Sequence, residues 1–192
     1  MAAEVSRHGV VLLAAGASRR LGRAKQLVEV DGEPLVRRTA RFGLATEPLH
    51  MVVVLGAAEG AVRAALSGLR FDAVVCDRWE EGMGRSLQAG LGALDARCAG
   101  ALVVLCDQVA LTPEHLVALR EAWRRSPAGA AASGYGGVAG VPALLPRAWF
   151  EALAEEPGDR GARALLLRNM REVTVVSNER LARDVDVPAD LP

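Results

Sequence analysis

The sequence predicts an α/β fold in which a mostly parallel sheet is covered by helices on both faces. Residues 9–14, 51–55, 73–76 and 101–106 are continuous apolar runs of strand length, as expected of strands buried on both faces. Segments with helical patterning separate them, and strands alternating with helices imply parallel pairing. The residues able to do chemistry follow these runs rather than precede them, and in open α/β sheets ligands bind beyond the carboxyl ends of the strands.

In chain order, the strand at 9–14 leads into a loop rich in Gly, Ser and Arg that reaches Lys25. Residues 34–45 read as a helix with Pro34 near its first turn. The strand at 51–55 precedes a helix at 59–69, and the strand at 73–76 a helix at 85–96. The strand at 101–106 ends at Asp107, and Thr112 caps a helix that opens on Pro113 and Glu114 and runs to about Arg125. Residues 129–145, rich in small side chains, break the rhythm and suit an antiparallel excursion. Helices near 148–155 and 160–169 and a strand at 173–176 complete the order.

The 192 residues suit one domain spanning 1–192, large enough for a core without disulfides or structural metal. With 51% apolar but only 4% aromatic residues, that core must be built from Ala, Val and Leu. Lys plus Arg equals Asp plus Glu, at 23 each, so no general basic surface for nucleic acid or acidic lipid is expected. Cys76, Cys98 and Cys106 have neither zinc nor redox spacing and read as reduced, buried thiols of a cytoplasmic protein. His8, His50 and His115 are too scattered for a histidine-built metal site. No apolar run has transmembrane length. Arg7 followed by residues 10–15 imitates a signal peptide, but the run is short and supplies the first strand of the pattern.

The strongest signal is the stretch Leu13, Ala14, Ala15, Gly16, Ala17, Ser18, Arg19, Arg20, Leu21, Gly22, Arg23, Ala24, Lys25. Small residues let a ligand approach the backbone, whose successive N–H groups can hold phosphate oxygens. Arg19, Arg20, Arg23 and Lys25 add positive charge, and a triphosphate needs both features. A tight surface turn with solvated arginines is the plainer alternative, disfavoured by the buried strand just before the loop. Neither a P-loop nor a dinucleotide fingerprint is present here. The G-x-G-x-x-A string at 134–139 is read as chance because Pro142 follows closely and no helix can open there.

This pattern, L-A-A-G-x-S-x-R-L-G-x-x-K, resembles the signature of the MobA-like nucleotidyltransferases, and within them that of the molybdenum cofactor cytidylyltransferases. The resemblance covers nearly the whole chain, since later motifs appear in the same order. It implies a Rossmann-like three-layer αβα sandwich of the nucleotide-diphospho-sugar transferase type. It makes Leu13, Ala14, Ala15, Gly16, Ala17 and Ser18 nucleotide-binding, with the triphosphate on the backbone around Ala15–Ser18 and Arg20 and Lys25 on its phosphates. Asp107 matches the first residue of the family's D-Q-P motif and Asp186 the second aspartate of its D-[IV]-D-T-P-x-D motif. Together they imply a Mg²⁺ site, which suits a cation preferring one or two carboxylates plus phosphate oxygens. Val109 and Val187 depart from the family's proline and threonine. Turn and tail roles remain open for Asp107 and for the segment Asp184, Val185, Asp186.

Gly82 and Ser86 match a motif beside the bound nucleotide in the resembled family, although a glycine turn with a helix cap explains them as well. Gly140, Pro142 and Arg163 match an acceptor region, Arg163 being the better ligand candidate and Asp159 a helix cap. Trp79, Trp123 and Trp149 show no stacking pattern and read as packing residues. Ala15 favours CTP by analogy, because guanylyl-transferring relatives tend to carry L-A-G-G. The implied reaction moves CMP onto a phosphorylated acceptor, the molybdopterin-type cofactor, with release of pyrophosphate and a molybdoenzyme as a potential partner. A guanylyltransferase, a metal-dependent glycosyltransferase using the D-x-D string at 184–186, and a non-catalytic cofactor-binding maturation factor are the alternatives. The chain ends soon after the Asp-Val-Pro segment, which argues against an appended catalytic domain.

Overall fold

The computed structural model describes residues 7–155 and 161–182. Seven strands form one sheet: β1 (His8–Leu13), β4 (His50–Leu55), β5 (Asp72–Val75), β6 (Gly100–Leu105), β7 (Ala130–Tyr135), β8 (Val138–Pro146) and β9 (Val173–Ser177). Their spatial order is β5-β4-β1-β6-β8-β7-β9. Only β8 runs against its neighbours β6 and β7, while the β1–β4, β1–β6, β4–β5 and β7–β9 pairs are parallel. The excursion expected at 129–145 is thus the β7–β8 hairpin. Its turn is made by Gly136 and Gly137 at φ +56° and +74°, which explains the chance glycine string there. A two-stranded hairpin, β2 (Glu29–Val30) with β3 (Glu33–Pro34), stands apart from the main sheet.

Successive residues of the central strands feed opposite cores. Val10 and Leu12 of β1, Met51, Val53 and Leu55 of β4, and Leu102 and Val104 of β6 face one layer. That layer holds α1 (Leu35–Leu44), α2 (Glu59–Ala65) and α4 (Pro113–Arg125). Val11, Leu13, Val52, Val54, Ala101 and Val103 face the other, which holds α3 (Met83–Ala93), α5 (Phe150–Glu155) and α6 (Gly161–Arg168). The result is the expected three-layer αβα sandwich. Each fully buried Leu or Val contributes roughly 1.5–3 kcal/mol, so the paired apolar layers are the main source of stability.

Local chemistry sets the helix starts. Thr112 accepts a hydrogen bond from the His115 N–H at 3.4 Å, and Pro113 occupies the first turn. Pro34 is the N-cap of α1 rather than a residue inside it. Helix α3 begins at Met83, two residues before the predicted start, because Gly82 takes φ +112° at the cap. A Cβ on Gly90 would lie 2.4 Å from Val11 Cγ1, so the glycine allows α3 to press onto β1. Helix α2 ends at Ala65, earlier than predicted, and Gly68 follows at φ +81°.

The three cysteines are unpaired and buried. Trp123 is buried in the first core, Trp79 and Trp149 partly buried against the second. No described helix is long and apolar enough to cross a membrane.

Candidate functional site

Strands β4 and β5 lie to one side of β1, and β6 lies to the other. The chain therefore reverses its direction of sheet growth between β1 and β6, the place where α/β sheets open a crevice. The glycine loop leaves β1 at this point, and Asp107 follows β6. A cavity of about 170 Å³ lies between them. It is lined by Leu13, Ala15, Gly16, Lys25, Gln26, Trp79, Met83, Ser86, Leu105, Cys106 and Asp107. Six predicted residues therefore meet on one wall: Leu13, Ala15, Gly16, Lys25, Ser86 and Asp107.

The loop's polarity is uneven. Its carbonyls are taken by the protein: Ala14 O and Gly16 O accept from Gln26 Nε2 at 3.0 and 2.7 Å, and Ala15 O accepts from the Ala57 N–H at 3.0 Å. Ser18 O and Arg19 O accept from the Leu21 and Gly22 N–H groups. The N–H groups of Ala15, Gly16, Ala17, Ser18 and Arg19 have no acceptor among the described residues. Consecutive unused N–H donors beside a cavity form an anion-binding concavity. A Cβ on Gly16 would meet no protein atom within 4 Å, so the protein's own packing does not require glycine there. Ala14 is buried beneath the loop, Ala17 and Ser18 are half-buried, and Arg20 is exposed at its outer end. Ser18 sits at φ +52°, with its hydroxyl accepting from the Lys25 N–H at 3.0 Å.

Lys25 Nζ pairs with Asp107 Oδ2, joining the end of the glycine loop to the end of β6. Both side chains are largely withdrawn from water, at 23% and 12% exposure. The second oxygen, Asp107 Oδ1, is buried with no hydrogen-bond partner among the described residues. Such an atom costs roughly 1–3 kcal/mol if it stays unsatisfied. A hard divalent cation prefers carboxylate oxygen, so Asp107 fits a metal ligand. Among the described residues no cluster of three metal-ligating side chains occurs. Asp159, Asp184 and Asp186 lie outside the described residues.

Cys106 also touches the cavity, but burial, reinforced by the neighbouring Asp107 carboxylate, pushes its thiol up to about 12. It donates weakly to Leu13 O and is no nucleophile. Arg19 Nη2 meets Glu80 Oε1 at 2.6 Å on the surface, tying the glycine loop to the turn Trp79–Glu81.

A second cavity of about 210 Å³ adjoins the first and shares Leu13, Met83 and Leu105 with it. Gly84, Leu87, Val103, Tyr135, Gly140, Val141, Ala162 and Arg163 complete its wall. Of the predicted acceptor residues, Gly140 and Arg163 lie here. Pro142 is buried instead, its carbonyl accepting from Ser133 Oγ at 2.7 Å. A Cβ on Gly140 would stand 2.7 Å from the Tyr135 hydroxyl, which donates to Val141 O at 2.7 Å. Gly82 caps α3 and leaves the walls to Met83 and Gly84. Ser86 lies within α3, not at its cap.

Gln26, Gln108 and the cavity-lining role of Trp79 escaped sequence reasoning. Gln108 Nε2 donates to Val141 O at 3.1 Å, linking the end of β6 to β8. The adjacency of Gln26 to Lys25 and of Gln108 to Asp107 was the available signal, but burial of a loop glutamine has no local signature.

Unused backbone donors and a carboxylate thus meet at the switch point of a three-layer αβα sheet, the arrangement of a nucleotide-binding α/β domain. The chain matches the MobA-like NTP transferase domain over residues 10–181 and belongs to that family. The protein named bifunctional protein GlmU in Kineococcus radiotolerans is 35% identical over 79% of this chain, which spans only 30% of GlmU. Nicotine blue oxidoreductase of Paenarthrobacter nicotinovorans is 33% identical over 92% of this chain and 90% of its own length. A probable molybdenum cofactor guanylyltransferase of Pelotomaculum thermopropionicum is 37% identical over 54% of this chain and 47% of its own. Among solved structures, Rv0371c of Mycobacterium tuberculosis superposes with a TM-score of 0.84 at 28% identity, covering 96% of this chain and 95% of that one. Its structure in complex with manganese superposes at 0.78 with 25% identity, over 96% of this chain and 95% of that one.

Proposed function

We propose that this protein transfers CMP from CTP to the phosphate of a molybdopterin-type acceptor and releases pyrophosphate. The observation that carries the reading is the uneven loop: five consecutive N–H donors without acceptors among the described residues, above carbonyls that are all but one satisfied. Such a surface suits an anion, and its length suits linked phosphates. Lys25 and Arg20 supply the charge that offsets the triphosphate, and Lys25 already stands at the edge of the cavity.

The first cavity takes the nucleotide. Trp79 and Ser86 on its wall are the proposed contacts for base and ribose, and Ala15 is the small residue associated with cytidine. The second cavity, mainly apolar and bordered by Arg163, takes the body and charge of the acceptor. Arg163 has no ion-pair partner among the described residues. An ionised acceptor phosphate oxygen attacks the α-phosphorus, the bond to the bridging oxygen breaks, and pyrophosphate leaves with the electron pair. The nucleophile is already deprotonated, so positioning and charge stabilisation suffice without a general base.

Asp107 Oδ1 is the proposed ligand of Mg²⁺, with Asp186 as the second ligand suggested by the resemblance. Manganese in the similar Rv0371c supports a divalent ion here. When bound, that ion offsets the charge on the phosphates.

The test is incubation with Mg²⁺, each of the four nucleoside triphosphates and molybdopterin-type acceptors, with pyrophosphate as readout. Pyrophosphate formed with CTP supports the proposal, and its formation with GTP alone moves the assignment to guanylyl transfer. In a parallel incubation with nucleotide sugars, release of a nucleoside diphosphate would instead identify a glycosyltransferase. Tight CTP binding without turnover on any acceptor supports the non-catalytic maturation factor instead.

A further inference from the structure

We propose that Gln26 is the positioning residue that gives the glycine loop its phosphate-binding polarity, an inference that rests on the loop being a phosphate site. Gln26 is polar yet only 1% exposed. A primary amide has two N–H donors, and those of Gln26 are spent on Ala14 O at 3.0 Å and Gly16 O at 2.7 Å. Its carbonyl faces the Ser18 hydroxyl at 3.5 Å, and that hydroxyl also accepts the Lys25 N–H. One side chain thus grips the loop at its start, middle and end.

Peptide geometry turns this grip into function. In a planar trans peptide the C=O of one residue and the N–H of the next point in opposite directions. Holding the Ala14 and Gly16 carbonyls against Gln26 therefore turns the Ala15 and Ala17 N–H groups away from it. Gly16 N–H is set in the same manner by the Ala57 N–H on Ala15 O, and Arg19 N–H by the Leu21 N–H on Ser18 O. Gln26 thus orients two of the five donors. Without its amide, both carbonyls lose their partner, and rotation of either peptide would present an oxygen where a phosphate oxygen must sit. Asparagine is one methylene too short to span the same atoms from the same backbone. Glutamate has the right length but, when ionised, only acceptors.

The experiment measures binding of inorganic tripolyphosphate by calorimetry to the full chain and to Gln26→Leu and Gln26→Glu, at temperatures where each is folded by circular dichroism. The wild type binds, and Gln26→Leu binds about tenfold to a hundredfold more weakly, the scale of losing partners for two buried acceptors. Gln26→Glu is equally impaired at pH 8, and its deficit relative to wild type at the same pH narrows toward pH 5, as protonation restores one donor. A role in stability alone would lower the melting temperature without this recovery. Wild-type affinity in either folded variant overturns the proposal for Gln26 and leaves the phosphate site standing. A wild type that does not bind tripolyphosphate overturns the phosphate site, and this proposal with it.

Discussion

Replacing Gly16 by alanine separates binding from stability. The backbone at Gly16 has no positive φ, and an added Cβ would find no protein atom within 4 Å. No clash opposes folding, while the unfolded chain loses freedom, so the variant gains about 0.4–1 kcal/mol. For a chain of this size that raises the melting temperature by roughly 1–4 °C. The new methyl group occupies the open side of the loop, next to N–H donors that need phosphate oxygen at about 2.9 Å. Loss or lengthening of one charge-assisted contact weakens triphosphate binding by about tenfold or more. Gly90→Ala is the opposite control, since its Cβ would press on Val11 Cγ1 at 2.4 Å and Val54 Cγ2 at 2.8 Å. It destabilises by about 1–3 kcal/mol and leaves the loop untouched. Thermal unfolding and calorimetric titration with CTP measure both quantities on each variant. Unchanged CTP affinity in Gly16→Ala, or a melting temperature below wild type, would refute the assignment of that open space to the ligand.

Three further outcomes are expected. Lys25→Ala and Asp107→Asn remain folded but lose turnover by about a hundredfold or more, measured as pyrophosphate release, and retention of wild-type rate by Lys25→Ala contradicts the site. Arg163→Ala raises the KM for the acceptor about tenfold while CTP affinity holds, and an equal loss for both substrates would place Arg163 elsewhere. Burial, with Arg120 and Arg124 nearby, lowers His8 from 6.5 to about 4. The folded state resists a proton that the unfolded state accepts, so the contribution is complete above pH 6.5 and disappears as pH falls through about 4. The gap is worth roughly 3 kcal/mol. Burial lowers His115 too, so denaturant titration should give His8→Leu a shallower decline across this window, not a flat line. An unchanged slope in that variant contradicts the assignment.

Burial and the nearby arginines keep His8 neutral, and its hydrogen bond fixes the tautomer. The Thr46 hydroxyl donates to Gly43 O at 2.7 Å, so toward His8 Nε2, 2.8 Å away, it can only accept. Ser133 does the same for His115, giving its own proton to Pro142 O. Both imidazoles are structural, in agreement with the scatter of the histidines along the chain.

The sequence reveals the strands well because burial on both faces leaves an uninterrupted apolar run, as at β1, β4 and β6. It reveals the glycine loop and Asp107 because both directly follow such runs. The β2–β3 hairpin escapes because two-residue strands carry no periodicity. The reversal of β8 becomes visible only through its turn glycines, and its place beside β6 is fixed by tertiary pairing alone. Gln26 reads as one more polar loop residue, since its burial depends on carbonyls ten and twelve positions away.

Leu13, Met83 and Leu105 border both hollows, so the two substrates would be separated by no more than one layer of side chains. On the proposed reaction, the joined dinucleotide product keeps the nucleoside and acceptor contacts of the two chambers, while contacts to the departing phosphates are lost with pyrophosphate. Two modest affinities then act as one through high local concentration, and the product would be held more firmly than either of its halves alone. Product departure would then compete with bond formation in setting the pace, and Met83, 45% exposed, borders both hollows.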